Sequence, residues 1–426
     1  MANNILVDTN VLLDDPKILY KLLSKYNKIV IPLTVLKELD KHKFNPDLSY
    51  SARTAIYELI AFRDQYPERL LMSINDDETS TNDLMILDAA KCNDADVATK
   101  DLSMSVIANA KGIETVLYNI VTNGIFKPYI YVELNKLLDK FDYAQDYGYY
   151  EFIEKSGIEV EPNCWKFIFL ELEGRTQYLY ASNPLKYEIV RIDNDPSYRD
   201  IVVDGSKIRA LDMYQTCAFY AMSEADSVLI TGKWGTGKTL LSTAHTLASS
   251  DSKVFITRPP VGINHKFDIG YLPGDKDEKM MTWFAGFLSA LYFIFANTRG
   301  QVTHKEREAV RYDIVKDKYF KEFFETIPIN AIQGMSLLEG DTMIVDEIQL
   351  IDIDYLSMIL SRASKNSKLI LLGDLAQTYN VVRPSESGLL KLLRILPHRA
   401  MAYVDLKNSY RNDLVELADK LQDKTF

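Results

Sequence analysis

Eight consecutive residues carry the clearest chemistry in this 426-residue chain: Gly232, Lys233, Trp234, Gly235, Thr236, Gly237, Lys238 and Thr239. They follow the apolar run 228–231 and fit the pattern G-x-x-x-x-G-K-[ST]. Between a strand and a helix that pattern holds phosphate. The glycines let backbone N–H groups wrap the anion, and the positive end of the following helix adds to the attraction. Lys238 is expected to reach the β and γ phosphates of ATP, and the Thr239 hydroxyl to ligate Mg²⁺. Further along, the apolar run 342–345 ends in Asp346-Glu347. An Asp there holds Mg²⁺ through water, and the adjacent Glu positions or deprotonates the hydrolytic water. Gln349 closes a D-E-x-Q pattern, and the run 369–372 ends in Gly373-Asp374 with Gln377 three residues on. Gln377 is placed to sense the γ-phosphate and couple it to bound nucleic acid.

A second set of residues is acidic: Asp8 in Val7-Asp8-Thr9-Asn10, Glu38, Asp83 in Thr81-Asn82-Asp83, and Asp101 in Thr99-Lys100-Asp101. Four carboxylates converging on one point repel each other unless a divalent cation neutralises them. Mg²⁺ or Mn²⁺ suits all-oxygen ligands and can activate water against a phosphodiester. Taken singly, an Asp at a helix start is an ordinary cap, and Asp83 is placed to be one.

The elements that must position these groups are legible as a rhythm. In the first 120 residues short apolar runs (5–7, 29–32, 70–74, 96–99 and 115–117) alternate with helical stretches (33–42, 50–63, 82–92 and 102–110). That alternation predicts a parallel sheet with helices on both faces and its site at the carboxyl ends of the strands. Residues 164–172, 177–181 and 187–192 are aromatic-rich and extended, and predict a small antiparallel β unit. Aromatics on such strands either stack bases or form the core of the sheet. Residues 139–150, with aromatics among polar residues, read as a connecting arm. The expected architecture is α/β throughout. A parallel-sheet domain spans 1–124, the arm and β-rich segment span 125–204, and a P-loop motor spans 205–426.

Together, the early D-T-N, Glu38, the Asn82-Asp83 pair and Thr99-x-Asp101 resemble a PIN-domain nuclease. The resemblance implies Mg²⁺- or Mn²⁺-dependent RNA cleavage with Asp8, Glu38, Asp83 and Asp101 as metal ligands. The second half resembles the PhoH family, relatives of superfamily 1 helicases. Its marks are the P-loop, Asp346-Glu347, Gln215 ahead of Lys238, Thr257-Arg258-Pro259, Leu272-Pro273-Gly274-Asp275 and Ser409-Tyr410-Arg411. The likeness implies adenine contact by Gln215 and, in the fused PIN–PhoH type, ATP-dependent unwinding of single-stranded RNA coupled to its cleavage. Two departures stand out. Gln333-Gly334-Met335 replaces the family's Arg-Gly-Arg, removing a basic contact for RNA or phosphate, and Arg209-Ala210-Leu211 lacks the proline that opens the adenine motif.

Bulk properties bound these expectations. The composition, 47% hydrophobic and 26% charged, is that of a globular chain long enough for two or three domains. A net charge of −11 excludes a uniformly basic nucleic-acid surface but leaves room for a local basic channel. Cys92, Cys164 and Cys217 are widely spaced and the N-terminus lacks an apolar leader, so a reducing cytoplasm is expected. The uncharged stretch 280–296 approaches the length of a membrane span. Thr282, Gly286 and Ser289 interrupt it, and a buried or subunit-facing helix is expected rather than a membrane partner. Arg411 is the candidate arginine for transition-state charge. With one motor core to the chain, a neighbouring subunit must supply it, which points to a closed ring, most simply a hexamer, around RNA. Two other readings stay open: an ATPase whose acidic domain only binds a partner, and a DNA-processing motor with a nuclease front end.

Overall fold

A computed structural model describes residues 4–44, 48–74, 81–118, 125–137, 141–249, 254–259, 284–296, 320–380 and 386–410. The chain divides into two compact units, one built on Met1–Ile125 and the other on Phe126–Val382 with Ser387–Phe426.

The first unit holds strands β1 (Asn4–Val7), β2 (Lys28–Pro32), β3 (Leu70–Ser73), β4 (Ala95–Thr99) and β5 (Thr115–Leu117) in the order β3-β2-β1-β4-β5. Every pairing is parallel. Helices Leu33–His42, Ser49–Gln65, Asn82–Cys92 and Leu102–Ala110 connect the strands. Because helices cover parallel sheets, the central strands read as continuous apolar runs, and Ile5, Leu6, Val7, Ile29, Val30 and Val97 are all fully buried. The sheet and helices expected from the sequence are all present.

In the second unit, β6 (Tyr129–Glu133), β7 (Tyr147–Gly148), β8 (Lys166–Leu172), β9 (Arg175–Asn183) and β10 (Glu188–Arg191) form a sheet in the order β6-β8-β9-β10-β7. The three expected strands, β8, β9 and β10, pair antiparallel, β7 adds to β10 antiparallel, and β6, which was not expected, adds to β8 in parallel. Of the stretch 139–150 expected to be an arm, residues 141–150 are described and are not one. Phe141, Tyr147 and Tyr149 are buried and pack with Phe152, Ile168, Leu170 and Tyr180. A sequence of aromatics spaced by polar residues is what a one-face-buried segment looks like. On the other face of this sheet, Trp165, Phe167, Phe169 and Leu179 share one core with Phe219 and Tyr220 of the helix Met213–Glu224. These aromatics are core, whereas Tyr131, Tyr150 and Tyr187 are exposed.

A hairpin of β11 (Asp200–Val203) and β12 (Ser206–Arg209) leads to a six-stranded sheet. Its strands are β13 (Ser227–Gly232), β14 (Val254–Thr257), β15 (Phe324–Thr326), β16 (Thr342–Val345), β17 (Lys368–Gly373) and β18 (Met401–Leu406). They are ordered β15-β14-β16-β17-β13-β18, and all pairs are parallel. The apolar helix Ala285–Ala296 packs its Phe287, Leu288, Leu291 and Ile294 into the core of its own unit and leaves Phe293 half exposed. Among the described residues no helix is long and apolar enough to cross a membrane.

Candidate functional site

In the first unit the four predicted acids come from separate elements. Asp8 follows β1 and is buried, 3% exposed, where it accepts a hydrogen bond from the Thr99 hydroxyl at 2.9 Å. Burial pushes its carboxyl up to about 6, against that hydrogen bond, and Glu38 and Asp83 add to the rise. Glu38, on the helix after β2, accepts from the Thr9 hydroxyl and from the Asn82 amide at 2.6 Å. Asp83 lies in the first turn of its helix without capping it, and partial burial, then Asp101 and Glu38, raise its carboxyl. Asp101 caps the helix Leu102–Ala110, accepting from the N–H groups of Ser103 at 2.7 Å and Met104 at 3.2 Å. It borders a cavity of about 310 Å³ shared with Asn10, Asp14 and Lys100.

The acids therefore stand within electrostatic reach of one another. Among the described residues, no three His, Cys, Asp or Glu are close enough together to hold an ion. Thr9 and Asn82 hold Glu38, and the helix N–H groups of Ser103 and Met104 hold Asp101. The donor chemistry is all oxygen, which fits a hard divalent cation. The cap reading also has substance, but at Asp101 rather than at Asp83.

In the second unit β13 runs straight into the phosphate-binding loop. Gly232 sits at φ +155°, where an added Cβ would lie 2.9 Å from the Leu406 carbonyl oxygen, so the loop can leave the strand only with glycine there. Gly237, at φ +95°, precedes the helix Lys238–Ser249. Lys238 donates to the carbonyls of Gly232 at 2.5 Å and Lys233 at 3.1 Å, which keeps its ammonium over the loop. Asp346, after β16, is 8% exposed. Burial pushes its carboxyl up to about 6, Glu347 adds to this, and Arg258 and Lys238 oppose it. Asp374, after β17, is likewise raised by burial, with Lys238 among the opposing groups. Lys238 and the two buried aspartates thus gather at the carboxyl edge of one parallel sheet.

Glu347 adopts φ +57°, ψ +41°, a left-handed conformation costly for a side-chain-bearing residue. Its carboxylate accepts from Gln349, and it forms an ion pair with Arg258 at 3.4 Å. Gln349, fully buried, also accepts from the Asp374 N–H at 3.0 Å and lies 3.4 Å from the Gln377 amide oxygen. Gln377 in turn donates to Asp374 at 2.9 Å. A relay of amides therefore joins the two acid-bearing strand ends.

Gln215 is committed to the loop itself. Its side-chain oxygen accepts from the Leu211 N–H at 2.8 Å and its nitrogen donates to the Thr236 carbonyl at 3.1 Å. The Gln215 side chain is itself buried, 4% exposed. Sequence reasoning missed the brace around it. Asp212 caps the helix Met213–Glu224 through Gln215 N–H, and its second oxygen accepts from Asn408 at 2.8 Å and the Tyr410 hydroxyl at 2.6 Å. Ser409 donates to the Trp234 carbonyl and the Tyr410 N–H to the Gly235 carbonyl, both at 3.0 Å. An Asp directly before an apolar helix was the available signal for the cap; nothing local announced its long-range partners. Arg411, Leu272-Pro273-Gly274-Asp275 and residues 280–283 lie outside the described residues.

Comparison with known proteins agrees with this arrangement. The family described as "PIN domain" matches residues 5–119, and the family described as "PhoH-like protein" matches residues 207–422, just over half of the chain. A protein named PhoH2 from Thermobispora bispora is 26% identical, across 98% of this chain and 96% of its own length. Another from Bacillus subtilis is 26% identical, across 88% of this chain and 89% of its own length. The solved Pif1 helicase from Candida albicans overlays 51% of this chain and 45% of its own at 14% identity, but a TM-score of 0.26 is too low to carry an argument. The phosphate-binding loop with its buried aspartates in one unit, and the oxygen-rich acid set on a parallel sheet in the other, together with these matches, place the chain in the PhoH-like protein family, with a PIN domain ahead of its PhoH-like domain.

Proposed function

We propose that the chain is an ATP hydrolase that translocates on single-stranded RNA and unwinds it, coupled to a metal-dependent endoribonuclease in the PIN domain. The observation that carries the reading is the gathering of Lys238, Asp346, Glu347 and Asp374 at the carboxyl edge of the motor sheet. The loop's backbone N–H groups and Lys238 hold the β and γ phosphates of ATP, and Gln215 borders the base. Thr239 and Asp346 hold Mg²⁺, which when bound draws charge from the phosphate oxygens. Glu347 orients the attacking water, and Gln377 reports the γ-phosphate through Gln349. In the PIN domain Asp8, Glu38, Asp83 and Asp101 would hold Mg²⁺ or Mn²⁺ once drawn together around it, and Lys100, which pairs with Asp14 at the rim of the adjoining cavity, would meet the phosphodiester. A cyclic homo-oligomer, a hexamer in its simplest form, completes each ATP site with Arg411 from a neighbour.

The test is incubation of labelled single-stranded RNA with Mg²⁺ or Mn²⁺, with and without ATP, beside DNA of the same sequence. Metal-dependent RNA fragments on a gel, together with RNA-stimulated phosphate release, are expected. Intact RNA under every condition would remove the nuclease from the reading. Equal cleavage and stimulation by DNA would turn it towards DNA processing, since the 2′-hydroxyl is what distinguishes the two.

A further inference from the structure

The Glu347 carboxylate is engaged on both oxygens. One accepts from Gln349, and the other faces the Arg258 guanidinium at 3.4 Å. Arg258 stands directly after β14, the strand that pairs in parallel with β16, so the two strand ends bring cation and glutamate together. The pair is not sealed in the core: the side chains of Arg258 and Glu347 are 30% and 25% exposed. A base that orients water must offer it an oxygen, and a cation at that oxygen competes with the water. A guanidinium is also a planar fork suited to phosphate, and a phosphodiester competes with a carboxylate for it on equal chemical terms.

We propose that Arg258 is a positioning residue that withholds Glu347 from the hydrolytic water until the phosphodiester backbone of a single strand takes the guanidinium. This rests on the ATPase reading above and adds its control by RNA. Glu347 already sits in a left-handed backbone conformation, held by the elements around it, so freeing the carboxylate needs only a side-chain movement. The buried Gln349 stays in place and keeps Glu347 aligned with Asp374 and Gln377.

The experiment measures kcat and KM for ATP with and without poly(U) in the full chain, the Arg258→Ala variant and the Arg258→Gln variant. A partly exposed ion pair contributes up to about 1 kcal/mol, so removing it should raise the RNA-free kcat about two- to fivefold. KM for ATP should be unchanged, and poly(U) should no longer stimulate. Poly(U) binding, read by fluorescence anisotropy, should lose about one unit of salt slope. Arg258→Gln keeps most of the side chain and decides the matter should the alanine variant not fold. An RNA-free kcat that falls or stays level in a parental background that turns over ATP overturns the switch alone. A parental chain that hydrolyses no ATP, with or without poly(U), overturns the ATPase reading and the switch with it.

Discussion

Lys238 and Glu347 make separable contributions, and the difference is testable. The Lys238 ammonium donates to loop carbonyls instead of packing in the core, so Lys238→Ala should abolish ATP hydrolysis and leave the thermal midpoint within a few degrees of the parental value. Glu347→Gln should retain ATP binding and stop turnover, which nucleotide-binding fluorescence beside phosphate release would separate. Asp8 offers a sharper case because burial has already moved its carboxyl up to about 6. An acid whose folded pKa is raised favours the fold while protonated, and that contribution is lost as pH rises through the folded value. At pH 7 in metal-free buffer Asp8→Asn should therefore stabilise the PIN domain, by at most about 3 kcal/mol. Cleavage of RNA should disappear while ATPase activity stays. Unchanged cleavage would make the domain a binding module. The loop and the Asp346-Glu347 pair were legible in the sequence because each is contiguous. The Gln349–Gln377 relay and the Asp212 brace were not, because their partners are far apart along the chain and meet only once the sheet has formed.

Among the elements, the helices Met213–Glu224 and Lys238–Ser249 meet at a buried histidine. His245 is 4% exposed, with Nε2 3.1 Å from the Ser223 hydroxyl, and burial pushes its imidazole down to about 3, with Lys368 adding to the effect. The unfolded chain takes a proton near pH 6.5 that the folded one refuses until about pH 3. Stability is therefore full above pH 6.5 and falls as pH drops through that window. Between pH 7 and pH 5 this one group should cost the parental unit about 2 kcal/mol that His245→Gln does not lose. Trp165, Trp234 and Trp283 all belong to the second unit, so urea unfolding followed by tryptophan fluorescence reads it alone. Equal acid sensitivity in the two proteins would count against the neutral buried imidazole. Element boundaries in the first unit were legible to within a residue or two because parallel strands and their helices alternate without interruption. In the middle segment periodicity revealed strands, but a period of two does not say which neighbour a face packs against, so 139–150 read as an arm.

For the whole molecule, the match to the PhoH-like family begins at residue 207, whereas the packing of that unit begins at Phe126. Trp165, Phe167, Phe169 and Leu179 complete a core with the helix Met213–Glu224, the Trp165 indole donates to the Arg399 carbonyl, and the Tyr129 hydroxyl donates to the Asp405 carbonyl. At roughly 1.5–3 kcal/mol for each large side chain, losing those four would consume most of the net stability of an ordinary domain. A fragment of residues 205–426 is therefore expected to be poorly folded, and one of 126–426 to melt cooperatively, as calorimetry would show. A cooperative transition of parental enthalpy in the shorter fragment would refute the shared core. The proposed ring has its own test. Mixing Arg411→Ala with Lys238→Ala subunits should restore part of the ATPase activity, because each variant lacks a different half of the site. A monomer by light scattering with ATP and RNA present, and no recovery on mixing, would exclude the ring.

β13 is bonded on one side to β17 and on the other to β18, with Val228, Leu229 and Ile230 wholly buried. The consequence is one of time. Amides in such a strand exchange with deuterium only when the whole unit opens, while those at the sheet margin in β15 exchange through smaller openings. The phosphate-binding loop after Gly232 springs from this strand, whose residues from Ser227 to Thr231 are registered against both neighbours. The phosphate-binding loop is thus expected to be rooted in a slowly exchanging strand, which hydrogen exchange read by mass spectrometry would show as late deuteration of residues 228–230.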